Sequence, residues 1–154
     1  MTRKGLVLIA AGGSAALLAG AFLFQALGYA PCKLCLWQRW PHAAAIVAGL
    51  AFFATNARFL TWIGALSAGL TGAIGIYHTG VELRWWEGPS TCTSSGNLSG
   101  SAEDLMRQIM EAPLIRCDEV AWSLFGLSMA SWNAILSFAL MAVWIMAARR
   151  GAKA

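Results

Sequence analysis

Cys32 and Cys35 stand in the run Pro31-Cys32-Lys33-Leu34-Cys35-Leu36-Trp37-Gln38-Arg39, at a spacing that lets two sulfurs share one pair of electrons. A Cys-x-x-Cys pair closes a small, strained disulfide or presents a thiolate of lowered pKa. Arg39 follows Cys35 by one helical turn, so a helix beginning here stacks the guanidinium beside that sulfur. A fixed cation at this place favours the thiolate and can donate hydrogen bonds to an anionic reaction partner. Two more cysteines, Cys92 and Cys117, lie far along the chain. Asp118 and Glu119 disfavour a thiolate at Cys117, whereas Cys92 has no charged neighbour nearer than Glu87. A Cys92–Cys117 bond would close a loop of about 25 residues and stabilise it by roughly 3.5 kcal/mol through chain entropy. The polar run from Ser90 to Ser101 offers little apolar surface to pack, which suits an exchanging bond better than a purely structural one.

The elements that must position these sulfurs belong to a membrane. Of 154 residues, 58% are hydrophobic and 12% charged, which is not the composition of an ordinary soluble domain. Residues 5–30, 59–81 and 120–148 carry no charged side chain, each long enough for a spanning helix. The run 40–57, between Arg39 and Arg58, is short for a span, and Arg39 can extend it by snorkelling toward the headgroups. The expectation is an all-α membrane protein, one four-transmembrane-helix bundle over residues 1–154. Its helices are expected at about 6–26, 41–57, 59–77 and 123–147, with outer loops at about 27–40 and 78–122. Arg3 and Lys4 before an apolar run resemble a signal peptide, but the run exceeds a signal's apolar core and Pro31 spoils the Gly28-Tyr29-Ala30 cleavage pattern. An uncleaved first helix is expected.

Close packing is written as small residues four apart: Gly12, Ala16 and Gly20, then Gly64, Ala68 and Gly72, then Gly126, Ala130 and Ala134. Tyr29, Trp37, Trp40, Tyr77, Trp85, Trp86 and Trp122 read as an outer aromatic belt, Phe59, Trp62 and Trp144 as an inner one. Trp37 is the candidate to wall a flat apolar cofactor. In the second loop, Ser101 and Asp104 form a capping signal and Pro113 a stop. Between them Leu105, Met106, Ile109 and Met110 share a face, predicting a short amphipathic helix lying on the bilayer.

Charge sets the orientation. Arg3, Lys4, Arg58, Arg149, Arg150 and Lys153 fall on one side with no acid; the other side holds five basic residues and all seven acids. By the positive-inside rule both termini are cytoplasmic and both cysteine-bearing loops lie outside, in a compartment that permits disulfides.

Other chemistries fit less well. The 32/35 and 92/117 spacings lack the paired close spacing of a zinc ribbon, so no metal site is expected. Leu36, not histidine, follows the Cys-x-x-Cys, which excludes covalent haem attachment as a motif. His42 and His78 near one interface could hold a non-covalent haem, making an electron carrier. A scaffold with structural disulfides is the remaining alternative.

Cys-x-Leu-Cys-x-x-x-Arg after a first span, Tyr-His-Thr ending the third, two cysteines in a long outer loop and Trp-Ser-Leu-Phe-Gly-Leu-Ser-Met-Ala-Ser-Trp-Asn opening the fourth together resemble the DsbB family over about residues 5–148. That resemblance implies a bacterial inner-membrane, quinone-dependent thiol oxidoreductase that reoxidises a periplasmic DsbA-like dithiol protein. It implies that Cys92 forms the mixed disulfide with the donor, with Cys117 its partner in the loop. Cys32 is similar to the cysteine that exchanges with Cys117. Cys35 resembles the one that engages the quinone (ubiquinone or menaquinone), Arg39 the arginine that holds it, and His78 a histidine near it. Gln38 stands where some relatives have an acid. Thiol–disulfide exchange would carry reducing equivalents from the donor through the loop pair to Cys32 and Cys35. A membrane-dissolved acceptor needs a cation for its developing oxyanion, and Arg39 supplies one.

Overall fold

The computed structural model describes residues 1–89, 101, 106 and 116–150. Helix α1 spans Arg3–Ala26, α2 Lys33–Thr55, α3 Phe59–Glu82 and α4 Met129–Arg149; two short strands, β1 (Ser123–Leu124) and β2 (Leu127–Ser128), precede α4. Each helix packs on its two neighbours in a ring: α1 against α2 and α4, α3 against α2 and α4, with α1 and α3 scarcely meeting. Helices α1, α3 and α4 are long and apolar enough to cross a membrane. Side chains such as Leu8, Val47, Leu50 and Leu66 stand more than 60% exposed on the outside of the bundle. Apolar surface so placed on all sides needs a lipid solvent.

One end of the bundle is basic. Arg3 Nε donates to the Arg150 carbonyl at 3.1 Å, and Arg58 Nε to the Ala148 carbonyl at 2.7 Å, so the start of α1, the α2–α3 turn and the end of α4 converge. The core just above them joins Leu6, Val7, Ala10, Phe52, Ala65, Ala68, Trp144 and Ala147. Trp144 is fully buried, lying where a Cβ on Gly64 would come within 2.5 Å of its ring. It is therefore a core residue and not part of an inner aromatic belt: Gly64 leaves a slot that only a side chain from the facing helix can fill.

The stripes of small residues divide. Gly64, Ala68 and Gly72 do line a buried face of α3, and Ala130 and Ala134 face Gly75 there. On α1, Gly12 has nothing within 4 Å, and the close approach is made instead by its neighbour Gly13, against Leu140. Spacing by four is common to several faces of a helix, and the sequence does not say which one is buried.

Helix boundaries depart from the charge-free runs at three ends. Helix α2 begins at Lys33, not near 41, because Cys32 caps it: Sγ accepts from the Cys35 N–H at 3.3 Å. Pro41 then lies inside the helix rather than opening it. Helix α3 runs on to Glu82, which places His78 within its last turns and not beyond them. Residues 123–128 form a hairpin instead of the first turns of α4. Leu124 pairs with Leu127 across a two-residue turn, Phe125 and Gly126, with φ of 53° and 77°. Two successive positive φ values make the tight turn that suits antiparallel strands, and Gly126 takes its share without a Cβ clash. The expected amphipathic helix, apart from Met106, lies outside the described residues, as does Cys92.

Candidate functional site

At the end of the bundle opposite the arginines, Cys32, Leu34, Val81 and Cys117 bury one another, with Cys35 packed against them. Cys117 is disulfide-bonded, whereas Cys32 and Cys35 are free. The structure thus brings the Cys-x-x-Cys segment and Cys117 from the second loop into one cluster, although 82 positions separate Cys35 from Cys117.

One backbone carbonyl fixes the protons of this site. The side-chain amide of Gln38 lies 3.2 Å from the Leu34 carbonyl, an acceptor, so the atom facing it is the amide nitrogen. The same Nε2 is 3.0 Å from His78 Nδ1, which must accept. His78 Nε2 then carries the proton and points it at Cys32 Sγ, 3.4 Å away. Cys32 Sγ also takes the Cys35 N–H and stands 3.0 Å from Cys35 Sγ. Two N–H donors converging on Cys32 make it the acceptor of the sulfur pair, so Cys35 keeps the shared proton and donates it. The bond from Cys35 holds the Cys32 thiol down at about 4 from an ordinary 9.0, helped by His78 and opposed by burial. A helix N-terminus at Cys32 adds to the preference for an anion there.

The amide of Gln38 orients a second residue. Its Oε1 accepts from Asn133 Nδ2 at 2.6 Å, and the same nitrogen reaches Thr71 Oγ1 at 3.3 Å. Thr71 Oγ1 in turn donates to the Gln38 carbonyl. Asn133 Oδ1 is left facing His42 Nε2 at 2.9 Å, so that nitrogen bears a hydrogen. Gln38, His42, Thr71 and Asn133 therefore form one buried polar band across α2, α3 and α4.

Arg39 follows Cys35 on α2 and is anchored to α1. Its Nη1 donates to Gln25 Oε1 at 2.7 Å and its Nη2 to the Ala21 carbonyl at 3.3 Å, with the guanidinium 4.7 Å above the Phe22 ring. It shares a cavity with Cys35, and its Nε–H is buried without a partner.

Two cavities meet at the sulfurs. One, of about 260 Å³, is mostly apolar and is lined by Leu17, Phe24, Trp122, Trp132 and Leu136, with Cys35, Gln38, Arg39, His42, His78 and Asn133 among its polar lining. The aromatic walls are Phe24 and Trp122, with ring centroids 5.1 Å apart, Tyr29 and Trp132; Trp37 is not among them and stands 43% exposed. The second cavity, of about 240 Å³, is lined by Cys32, Cys35, His78, Glu82, Arg116 and Glu119. Glu82 has a side chain only 6% exposed, lies 3.9 Å from His78 Nε2 and accepts from Ser128 Oγ. Arg116 forks onto both Asp118 oxygens at 2.7 and 3.0 Å and reaches Glu119 at 3.7 Å. That fork holds the Asp118 carboxyl below its usual range and offsets the charge that the sequence sets beside Cys117.

The ligand atoms of Cys32, Cys35 and His78 lie within 4.8 Å of one another, so three soft donors converge. Two thiolates on a tetrahedral zinc stand about 3.7 Å apart, given Zn–S bonds near 2.3 Å. The 3.0 Å found here is shorter than that. Both ring nitrogens of His78 are engaged within the protein, which does not suit a pair of histidines holding haem.

Residues 3–147 match the family model described as disulfide bond formation protein DsbB. A disulfide bond formation protein B from Verminephrobacter eiseniae is 29% identical over 154 residues, covering 94% of this chain and 84% of that protein. One from Polaromonas sp. is 27% identical over 161 residues, covering 99% of this chain and 94% of the relative. Disulfide bond formation protein B 2 of Pseudomonas aeruginosa is 29% identical over 141 residues, covering 86% and 83%. No solved structure matches the chain.

Proposed function

This chain belongs to the DsbB family of disulfide bond formation proteins, and on that premise we propose that it is a membrane thiol:quinone oxidoreductase. In this reading it reoxidises a periplasmic DsbA-like dithiol protein and passes the electrons to a quinone of the bilayer. The observation that carries the reading is the position of the Cys32–Cys35 pair: Cys32 is buried against Cys117, while Cys35 lines the apolar cavity. Helix α2, with Val47 and Leu50 exposed on its outer side, serves as the fourth span. Both termini face the cytoplasm of a bacterial inner membrane and both cysteine loops the periplasm.

A thiolate of the donor attacks Cys92 of a Cys92–Cys117 disulfide, and the Cys117 thiolate leaves. Cys117 attacks Cys32 of the oxidised pair, forming a Cys32–Cys117 bond and releasing the Cys35 thiolate. The donor's second thiolate attacks its own sulfur in the mixed disulfide, leaving as oxidised donor. The freed Cys92 thiolate attacks Cys117, re-forming Cys92–Cys117 and expelling the Cys32 thiolate. His78 Nε2–H, which the Gln38 amide aims at Cys32, stabilises negative charge on that sulfur whenever it is the leaving group. Glu82, the carboxylate nearest His78, takes up a thiol proton released there.

The apolar cavity suits a quinone headgroup, because it joins flat aromatic walls to two buried polar atoms without partners, Arg39 Nε and His42 Nδ1. When bound, the quinone supplies a two-electron, two-proton acceptor. Cys35 faces it, Arg39 is positioned to hold an oxygen, and Phe24, Trp122 and Trp132 exclude water. The test is quinone reduction by the purified protein with a reduced dithiol donor. Turnover that vanishes in Cys35→Ala and in Cys92→Ala is expected. Multiple turnovers of donor oxidation without quinone, beyond what the protein's own disulfides supply, would overturn the reading.

A further inference from the structure

Resting on the quinone reading of the apolar cavity, we infer that His42 is a second headgroup contact there, one that binds the reduced, hydroxylated form and not the oxidised form. His42 is 97% buried by its 3% exposure and lines the cavity, and its Nδ1 has no hydrogen-bond partner. What that nitrogen offers is settled by the chain of amides leading to it. The Leu34 carbonyl orients Gln38, Gln38 Oε1 orients Asn133, and Asn133 Oδ1 takes the hydrogen on His42 Nε2. A neutral imidazole has one N–H, so Nδ1 is a bare lone pair.

A lone pair cannot bond a quinone carbonyl, which is itself only an acceptor. It can accept an O–H from an aromatic 1,4-diol. Arg39 Nε–H is the complement: a buried donor that suits a carbonyl or an oxyanion. Of the cavity's buried polar atoms, the two without partners are thus one donor and one acceptor. They face a headgroup that changes from two carbonyls to two hydroxyls on gaining two electrons and two protons. Leaving a buried acceptor unsatisfied is costly, so the cavity gains when the diol forms.

The experiment pairs each ligand with the protein state to which it cannot transfer electrons. Binding of a short-chain quinone to the oxidised full-length protein, and of its quinol to the reduced protein, is followed by tryptophan quenching. His42→Phe should weaken quinol binding about fivefold to tenfold, the value of one hydrogen bond, and leave quinone binding within about twofold. His42→Gln, which keeps a donor for Asn133 and an acceptor for the ligand, should restore most of the quinol affinity. Equal loss for both ligands, or for neither, overturns the inference while leaving the quinone reading in place. Failure of the unaltered protein to bind either ligand overturns both. A readout free of any substitution is nitrogen-15 resonance of labelled histidine: the His42 Nδ1 signal should shift on adding quinol and hold still with quinone. A shift with quinone alone would mean that Nδ1 carries the hydrogen, and would overturn the assignment.

Discussion

At Cys32 a sulfur receives hydrogen bonds from Cys35, from the helix backbone and from His78, and its acidity follows. Through Cys32, the reduced, folded protein holds one proton fewer than its unfolded chain between about pH 4 and pH 9.0, the depressed and ordinary values. The Cys32 contribution to stability therefore rises with pH across that window and disappears as pH falls through about 4. Neither sulfur titrates once the pair is oxidised, so the slope belongs to the reduced form, and stabilising that form makes the disulfide more oxidising. Ultraviolet thiolate absorbance of the reduced protein should show a step near pH 4 that Cys32→Ser removes; a first step near pH 9.0 would contradict the hydrogen-bond scheme. Gln38→Leu removes the donor that sets the His78 proton, and should raise the Cys32 step by about one pH unit. In the sequence the four cysteines and Arg39 stand out by type and spacing, and His78 only through the family resemblance. Gln38 and Asn133 do not, since neutral amides 95 positions apart announce no chemistry. The available signal was thermodynamic: Gln38, His42, Thr71 and Asn133 are polar residues on otherwise apolar helices, where a polar group is expensive unless partnered.

Helices rather than single side chains decide how tightly the polar band is held. A Cβ on Gly75 would stand 3.0 Å from Ala134 Cβ and 3.1 Å from the Ala130 carbonyl, so α3 and α4 touch almost backbone to backbone beside Asn133. Gly75→Leu must separate them, and should cost about 1–3 kcal/mol. Gly12→Leu, with open space around it, should be close to neutral. Thermal unfolding in detergent distinguishes the two; equal midpoints would mean that α3 and α4 do not pack as described. That four helices exist could be read from runs without charge, because hydrocarbon admits little else. Where they begin could not, since hydropathy is blind to a cap such as Cys32 and to a two-residue turn such as Phe125-Gly126.

For the molecule as a whole, the gathering of Arg3, Arg58 and Arg150 at the end far from the sulfurs matches a basic cytoplasmic face. In a variant otherwise free of cysteine, Lys33→Cys should react with an impermeant maleimide in intact cells, whereas Lys4→Cys should react only after the inner membrane is opened. The reverse pattern would invert the orientation. Both positions are exposed, so access alone is measured. Between these two faces the cavities are divided by a sulfur pair 3.0 Å across, with Cys32 on one side only and Cys35 reached from both. Under the proposed function, the two substrates would never share a compartment or need to recognise each other. Donor selection and acceptor selection could then evolve as separate traits: substitutions at Trp132 or Leu136 would adapt a lineage to a new lipid electron acceptor, and changes around Arg116 and Glu119 to a new protein client, without either history constraining the other.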